Sequence, residues 1–514
     1  MSGYFFMLNV ETIEKLKTAV LVKRPILKEI MEKRGQRNII DYAVDYLDVN
    51  LNQINKNRQT EVITVFEKVV KNNLGEAVAK KAAEQLAKYY FVSTADHHGP
   101  LCHPFFLNSH LVTSAVCLKQ PITNMDYVIA LSCANVSFSN SSFPRGLLFH
   151  SSKNENLQLQ QLGFFPNSSS VRQARIFNYP AYSQSDIERL KKRINELFNT
   201  GEITDNINEQ LFEIVEQIYA DPDTLSCQYY ADQITKTNYA LWNRMFAKMK
   251  INGPKILYIE LEAIVANLLI DFHLDQDTLI NRLIFLPDYR ELFIKKFDEI
   301  EGGYSLKKGW GTYLFWALPK EEKYCQQLRY KDGYLVSTTS DFRIALQPEA
   351  IADALKNKII LPSTQLSLLI LSLYYGVKCL GGFCQVNYLT IMREAYRNLL
   401  QEKNENDSLI ACEHVQTKEL GEDLTVAFLA NSKEQRDLAT SLDIILYGND
   451  KSWPNLQDEI ESMGFEQALM PMMPEFYRIM YPETERDQNL AQITANDIIK
   501  INGLDKKIKP CCWV

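Results

Sequence analysis

Helical periodicity dominates the first ninety residues of the chain. Between Glu76 and Tyr90, apolar residues recur at positions 78, 82, 86 and 89, which places them on one face of a helix. The segment from Asn38 to Leu47 has the same spacing behind an asparagine that can cap a helix N-terminus. Residues 1–90 are therefore predicted to form an N-terminal helical region.

Strand-like patterns begin at Phe91. Short apolar and β-branched runs predict buried strands, and later segments alternate between helical and strand-like spacing. The predicted strands are 91–94, 127–131, 146–149, 311–316, 333–337 and 444–447, and the later helices are 186–199, 206–219, 239–250, 455–481 and 488–501. This mixture predicts an α+β (mixed α/β) fold, with a helical N-terminal layer, a small mixed sheet that carries the site loops, and further helices towards the C-terminus.

Four segments follow from these changes of pattern. They are an N-terminal helical region (1–90), a histidine-rich strand and loop core (91–184), a second helical region (185–310) and a mixed region with C-terminal helices (311–514). The composition, 46% hydrophobic and 23% charged, is typical of a globular protein and excludes extended disorder. The net charge of −7 and the absence of a basic cluster in the sequence give no reason to expect a nucleic-acid partner.

The sequence predicts a cytoplasmic protein with reduced thiols. No basic segment followed by a small-residue cleavage site opens the chain, and the ten cysteines show no paired C-x-x-C spacing. The longest apolar stretch, Leu366 to Val377, is well short of the roughly 20 residues that a membrane span needs. We therefore expect no transmembrane segment and interpret this stretch as a core element.

The C-terminus has the layout of a prenylation signal. Cys511 stands four residues from the end, and three lysines precede it at 506, 507 and 509. Trp513 and Val514 depart from the preferred residues of such a signal. A weak membrane association through a lipid on Cys511 and the neighbouring lysines is one hypothesis, and an unmodified tail is the other.

Histidine is concentrated in one part of the chain. The seven histidines are His97, His98, His103, His110, His150, His273 and His414, so five of them fall between residues 97 and 150. Histidine changes charge near neutral pH and is the commonest metal ligand, so an excess of this kind indicates chemistry. This segment is therefore the first candidate for a functional site.

The residues around the first histidine pair suggest where a catalytic or metal site would be. Asp96, His97 and His98 follow the strand predicted at 91–94, and the next two residues, Gly-Pro, predict a turn, so these side chains should stand at the carboxyl edge of a sheet, where ligands bind. We predict that they are catalytic. A metal ion, Zn²⁺ or Fe²⁺, would take its ligands from His97, His103, His110 and His150, together with Asp96.

Two further loops are expected to bind substrate. Asn135, Asn140, Ser141 and Arg145 follow the strand predicted at 127–131, and their amides, hydroxyl and guanidinium suit an anionic group. The segment from Lys378 to Gln385 contains a glycine pair that lets the backbone approach a ligand, and Lys378 and Gln385 would contact it. The loops 93–110, 132–150 and 378–385 are thus predicted to form one pocket.

The sequence favours an enzyme, a metal-assisted or histidine-assisted hydrolase or group transferase that acts on a small anionic substrate. Two alternatives stay open. One is a metal-free acyl-type transferase with Cys102 or Cys133 as nucleophile and a histidine as base. The other is a non-enzymatic, membrane-associated interaction protein anchored through the C-terminal Cys-Cys-Trp-Val sequence.

Overall fold

The change of pattern at residue 91 marks the point where the chain leaves its N-terminal helices and enters a central sheet. The computed structural model describes residues 9–119, 123–153, 156–319 and 324–514. It is 55% helical with 15% strand in several small sheets, which confirms the predicted mixed α+β class.

The α-helices are α1 (Val10–Lys23), α2 (Pro25–Arg34), α3 (Ile39–Ala43), α4 (Lys56–Leu74), α5 (Glu76–Tyr89), α6 (Pro104–Leu118), α7 (Ser169–Gln173), α8 (Gln184–Asn199), α9 (Asp205–Ile214), α10 (Pro222–Leu225), α11 (Tyr230–Lys248), α12 (Leu261–Phe272), α13 (Leu279–Phe285), α14 (Pro287–Phe297), α15 (Pro348–Lys356), α16 (Thr364–Leu368), α17 (Phe383–Glu402), α18 (Asn406–Glu413), α19 (Ser441–Tyr447), α20 (Ser452–Ser462), α21 (Phe465–Leu469), α22 (Met473–Met480), α23 (Gln488–Ala491) and α24 (Ala495–Ile501). Helices α9 and α16 each continue into a π-helical turn, Val215–Tyr219 and Leu369–Tyr374.

The strands are β1 (Phe91–Ser93), β2 (Tyr127–Ser132), β3 (Gly146–Lys153), β4 (Asn156–Gly163), β5 (Lys255–Glu260), β6 (Tyr304–Ser305), β7 (Trp310–Gly311), β8 (Phe315–Ala317), β9 (Gln326–Lys331), β10 (Tyr334–Ser337), β11 (Arg343–Ala345), β12 (Ile360–Pro362), β13 (Lys378–Leu380), β14 (Phe428–Ala430), β15 (Arg436–Leu438) and β16 (Cys512–Trp513).

The central sheet has the strand order β13-β1-β2-β5, and all of its pairs are parallel. It is therefore a parallel sheet rather than the mixed one expected. The chain steps from β1 to β2 to β5 on one side, and β13 later joins the other side of β1. Such a reversal leaves a crevice beyond the carboxyl ends of the two strands where it occurs, which is where open α/β sheets bind ligands.

Both faces of this sheet are covered. Residues 127, 129 and 131 of β2 belong to a hydrophobic cluster with α4, α5 and α12, whereas residues 128 and 130 belong to a second cluster with α6 and α11. A strand buried on both faces needs apolar residues at every position, which explains the uninterrupted run that predicted β2. The sheet takes strands from three of the four segments that the sequence predicts, so these segments share one core.

Smaller sheets surround this core. A five-stranded antiparallel sheet has the order β11-β10-β9-β8-β12, a three-stranded sheet has the order β15-β14-β16, and β3–β4 and β6–β7 are hairpins. In the three-stranded sheet, Cys512 and Trp513 pair with Leu429 and Ala430 of β14. The C-terminal tail thus joins a sheet, and both Cys511 and Cys512 are buried.

Two strand predictions were wrong. The run 444–447 lies in helix α19, where Thr440 and Asp443 form a capping box. Residues Ile444 to Leu446 are all buried, so the helix has no polar face in this stretch and its apolar run resembles a strand. The run predicted at 311–316 is interrupted after Gly311, whose φ of 69° ends β7 before β8 begins.

Candidate functional site

A cavity of about 420 Å³ lies at the carboxyl edge of the central sheet. The segments that follow all four strands of this sheet contribute to its lining: residues 94, 95 and 97 after β1, residues 133, 135 and 136 after β2, Leu261 after β5 and residues 382–385 after β13. Glu422, Asp423 and residues of α22 complete the walls. The structure thus brings together the three loops singled out in the sequence, and we refer to this cavity as the edge pocket.

The first two loops touch each other beside the edge pocket. A Cβ atom on Gly99 would lie 2.8 Å from Cβ of Pro144, so a glycine is required where these loops cross. Backbone hydrogen bonds from Cys133 to the Asp96 carbonyl and from His98 to the Cys133 carbonyl, both 2.8 Å, extend the contact. These bonds fix the side chains of both loops relative to the sheet.

His97 lines the edge pocket with one ring nitrogen already committed. Its Nδ1 lies 3.0 Å from Oδ1 of Asn140, an oxygen that also accepts the backbone N–H of Ser142. Because this oxygen is an acceptor, Nδ1 of His97 carries the proton and Nε2 carries the lone pair. Burial lowers the pKa of His97. The imidazole is therefore a neutral base.

His103 also lines the edge pocket, at the N-terminus of α6. Its Nδ1 accepts the backbone N–H of Phe105 at 3.4 Å, so the proton of the neutral ring is on Nε2. Burial lowers the pKa of His103 to about 3. This imidazole caps a helix and can donate a hydrogen bond, but it is a weak base.

Asp96, His98 and His110 lie behind the wall of the edge pocket and are fully buried. Nε2 of His110 donates to Oδ2 of Asp96 at 2.8 Å. His98 uses both ring nitrogens, with Nδ1 at 2.6 Å from Oγ of Ser132 and Nε2 at 2.9 Å from the carbonyl oxygen of Ala231. These contacts attach the loop after β1 to its surroundings.

His150 is not brought to this edge. Its Nδ1 lies 2.7 Å from Oδ2 of Asp443, at the contact between β3 and α19. Burial would lower the pKa of His150, but the carboxylates of Asp443 and Asp437 raise it to about 10. Within the described ranges, no three His, Cys, Asp or Glu side chains form a group that could hold a metal ion. A four-histidine metal set that includes His150 is therefore corrected, because His150 lies elsewhere, and metal binding by the other residues stays a prediction.

Two buried carboxyl groups that line the edge pocket, those of Glu422 and Asp423, were not predicted from the sequence. Oε1 of Glu422 accepts a hydrogen bond from Oγ of Ser93 at 2.8 Å, and the same hydroxyl lies 3.4 Å from Oδ1 of Asp96, so the two carboxyl groups are neighbours. Burial and the neighbouring Asp96 raise the pKa of Glu422 well above its ordinary value. The raised pKa favours the protonated form of Glu422, and the lowered pKa of Asp96 leaves the negative charge on that neighbour.

Asp423 is held against the helix that starts after β13. Its Oδ2 accepts the backbone N–H of Phe383, the first residue of α17, at 2.7 Å. Burial raises the pKa of Asp423 to about 7. Backbone hydrogen bonds from Gly381 to the Glu419 carbonyl and from Gly421 to the Gly381 carbonyl join this segment to the end of β13. The local sequence Gly-Glu-Asp-Leu resembles an exposed turn and carries no signal of this placement.

The second loop contributes only some of its predicted residues to the edge pocket. Asn135 and Ser141 line it, whereas Asn140 does not line it but hydrogen-bonds to His97, which does. Arg145 does not line it, because its guanidinium hydrogen-bonds to Asn167 and lies over the ring of Phe143. The prediction that Arg145 binds a substrate in the pocket is therefore corrected.

The predicted residues of the third loop divide in the same way. Gln385 lines the edge pocket and donates from Nε2 to Oγ1 of Thr94 at 2.6 Å. Lys378 is buried in β13, and its Nζ donates to the carbonyl oxygens of Asp45 and Asp48 at 2.6 and 3.2 Å. Lys378 anchors the N-terminal region and does not line the pocket.

The thiols proposed as nucleophiles remain protonated. Cys133 lines the edge pocket, but burial and the neighbouring Glu262, whose Oε1 is 3.3 Å from Sγ, raise the pKa of Cys133 well above its usual value. Cys102 does not line the pocket, and burial raises its pKa to about 11. Neither environment favours the thiolate that a nucleophile requires.

Comparison with known proteins does not assign the chain. No protein-family model matches the sequence, and no curated protein matches it significantly. Among the helices of the described ranges, none combines the length and the apolar character needed to cross a bilayer. The edge pocket itself is the remaining guide to function, since a neutral base, a hydrogen-bond donor and two buried carboxyl groups line one cavity.

Proposed function

We propose that the chain is an enzyme that hydrolyses a small molecule, or transfers a group to or from it, by general acid–base catalysis in the edge pocket. The observation that carries this proposal is the pairing of Glu422 and His97 in one cavity. A protonated carboxyl and a neutral imidazole are the complementary acid and base that such a reaction needs.

His97 would be the base. With Nδ1 bonded to Asn140, the lone pair on Nε2 is available to take a proton from water or from a substrate hydroxyl or amine. Asn140 is itself in a turn with Ser142, so the ring has a fixed orientation. A base that is neutral at pH 7 is ready to accept a proton without a preceding ionisation.

Glu422 would be the acid. Its proton would go to the leaving group as the bond to that group breaks, and its carboxylate would be reprotonated by the proton that His97 has taken. Ser93 donates a hydrogen bond to Glu422, and Asp96 lies beside it, so the carboxyl is held in place at the end of β1. His103 lines the same cavity as a further hydrogen-bond donor.

The proposal can be tested without knowing the substrate. The purified chain is incubated with a small-molecule extract of cells, and masses that disappear or appear are recorded by mass spectrometry. We compare the wild type with His97→Gln, Glu422→Gln and the matched control His414→Gln, whose side chain is exposed. Masses that change with the wild type and the control, but at least about 100-fold more slowly with either pocket variant, support the proposal. Equal changes with all four proteins contradict it, and so does the absence of any change.

A further inference from the structure

Three acidic side chains line the edge pocket. Glu422, Asp423 and Glu475 line it, and the residues that line it within the described ranges include no lysine or arginine. Two guanidinium groups approach residues that line it. That of Arg24 is 3.4 Å from Sγ of Cys384 but is bonded through both terminal nitrogens to Glu301, at 3.0 and 2.7 Å. That of Arg175 is 3.5 Å from the carbonyl oxygen of Asn135 and lines a different cavity. Neither guanidinium lines the edge pocket, so an anion would meet no arginine or lysine side chain in its walls.

The N-terminus of helix α17, at the edge pocket, already has a carboxyl group bound to it. The N-terminus of α17 would favour an anion, but Oδ2 of Asp423 already accepts the N–H of Phe383 there. An anionic substrate at this point would meet a carboxyl group and not a free amide. Together with the positions of Arg145 and Lys378, this removes the basis for the anionic substrate expected from the sequence.

The apolar part of the lining includes several aromatic rings. Phe383 and Phe476 stack with their ring centroids 3.8 Å apart, and Phe105, Phe106 and Tyr388 also line the edge pocket. Aromatic faces attract ammonium groups through their quadrupole, and the attraction grows when water is excluded. A cavity of about 420 Å³ is within the range of sites that enclose one small organic molecule.

We propose that the substrate of the edge pocket carries a primary ammonium group, held by the carboxyl of Asp423, and an apolar body that packs against Phe383 and Phe476. This inference rests on the proposed function, since it takes the same cavity as the active site. It specifies the part of the substrate that the wall formed by α17 and residues 422–423 recognises. The ammonium would supply the positive charge that this wall lacks.

Three series of probes test the charge without requiring the natural substrate. They are phenylalkylamines, phenylalkanols and phenylalkanoates with chains of one to four methylenes, which share a body and differ in the end group. Dissociation constants are measured by calorimetry for the wild type, Asp423→Asn, Glu422→Gln and the matched surface control Glu209→Gln. Circular dichroism verifies that each variant is folded.

We expect at least one amine to bind about tenfold or more tightly than the alcohol and the acid of the same length. Asp423→Asn should remove this advantage while leaving the affinity for the alcohol unchanged. Glu422→Gln exchanges one neutral group for another and should keep the advantage, and Glu209→Gln should have no effect. The inference is overturned if an acid binds as tightly as its amine, if the advantage survives in Asp423→Asn, or if no probe binds. A bound amine without turnover in the extract experiment would instead refute the proposed catalysis and leave this inference standing.

Discussion

His110 donates from Nε2 to Oδ2 of Asp96 at 2.8 Å, and both side chains are fully buried. The other side of the Asp96 carboxyl faces Ser93 and Glu422, so the pair connects the interior of α6 with the wall of the edge pocket. Buried charged groups of this kind are expensive unless each has its partner. The position of Glu422 in the pocket thus depends on a histidine that does not line it.

Asp96→Ala should destabilise the fold by about 3–5 kcal/mol, because it leaves His110 buried without its acceptor. Chemical denaturation at pH 7 measures this loss. The control is Asp41→Ala, which removes an exposed carboxylate 3.8 Å from Lys119 and should cost less than about 1 kcal/mol. Equal stability of the two variants would show that the buried pair contributes nothing.

The same pair predicts a loss of stability in acid. Burial would raise the pKa of Asp96, but His110 lowers it to about 2, below the ordinary value of 3.8. A carboxyl with a lowered pKa stabilises the fold above its unfolded pKa, and this contribution disappears as the pH falls from about 4 to 2. Asp96→Asn should therefore show a smaller decline of unfolding free energy over this range than the wild type. Parallel curves would contradict the assignment.

The parts of the site that could be predicted from the sequence are those close together in the chain. The apolar run of β2 and the shorter run of β1 predict strands, and the polar residues directly after them line the edge pocket or support it. Histidine enrichment pointed to the correct loop, although His98 and His110 hold that loop in place and His150 lies elsewhere.

Contacts between distant residues could not be predicted in this way. Glu422 reaches Ser93 across 329 positions, and Asp423 reaches Phe383 across 40, so no local pattern marks either carboxyl as buried. Arg145 is in the predicted loop, but the backbone turns its side chain towards Asn167. A short sequence motif specifies which groups are near a strand end and does not specify which way they point.

His150 should make the fold less stable at alkaline pH. Its pKa is raised from 6.5 to about 10, so its contribution is complete below pH 6.5 and is lost as the pH rises towards 10. The loss is at most about 5 kcal/mol. The difference in unfolding free energy between the wild type and His150→Gln should shrink over this range, whereas the difference from His414→Gln should stay constant. A constant difference for both variants would show that His150 is not charged in the folded protein.

Removal of residues 511–514 should destabilise the protein, because this tail is paired in a sheet. Cys511 and Val514 donate backbone hydrogen bonds to Phe428 and Ala430, at 2.7 and 2.9 Å, and both cysteines are buried. The deletion should cost about 3 kcal/mol or more in urea denaturation. An unchanged denaturation midpoint would show that the tail is not part of the folded core.

Cys511→Ser separates the fold from the lipid hypothesis. It keeps the strand and should cost only about 1–2 kcal/mol, but it removes the sulfur to which a prenyl group would be attached. Membrane partition is compared between this variant and the wild type after expression in cells that prenylate proteins. Equal partition removes the support for a lipid on Cys511. In addition, the buried Cys511 would have to leave its place beside the sheet before a prenyl group could be attached to it.

Asp423→Asn should stabilise the fold at alkaline pH while it weakens ligand binding. Burial raises the pKa of Asp423 from 3.8 to about 7, so folding takes up a proton between these values, and the carboxyl costs stability increasingly as the pH rises from about 4 to 7. An asparagine can still accept the N–H of Phe383 but carries no charge. At pH 8 the variant should be more stable than the wild type by on the order of 2–4 kcal/mol, and at pH 4 the two should be similar.

The exposed Asp341→Asn serves as the control, with no expected change at either pH. A gain that appears only at high pH, together with lost amine binding, would mean that the protein keeps this carboxyl for its ligand at the expense of stability. A variant that is less stable than the wild type at pH 8 would instead make Asp423 a structural helix cap.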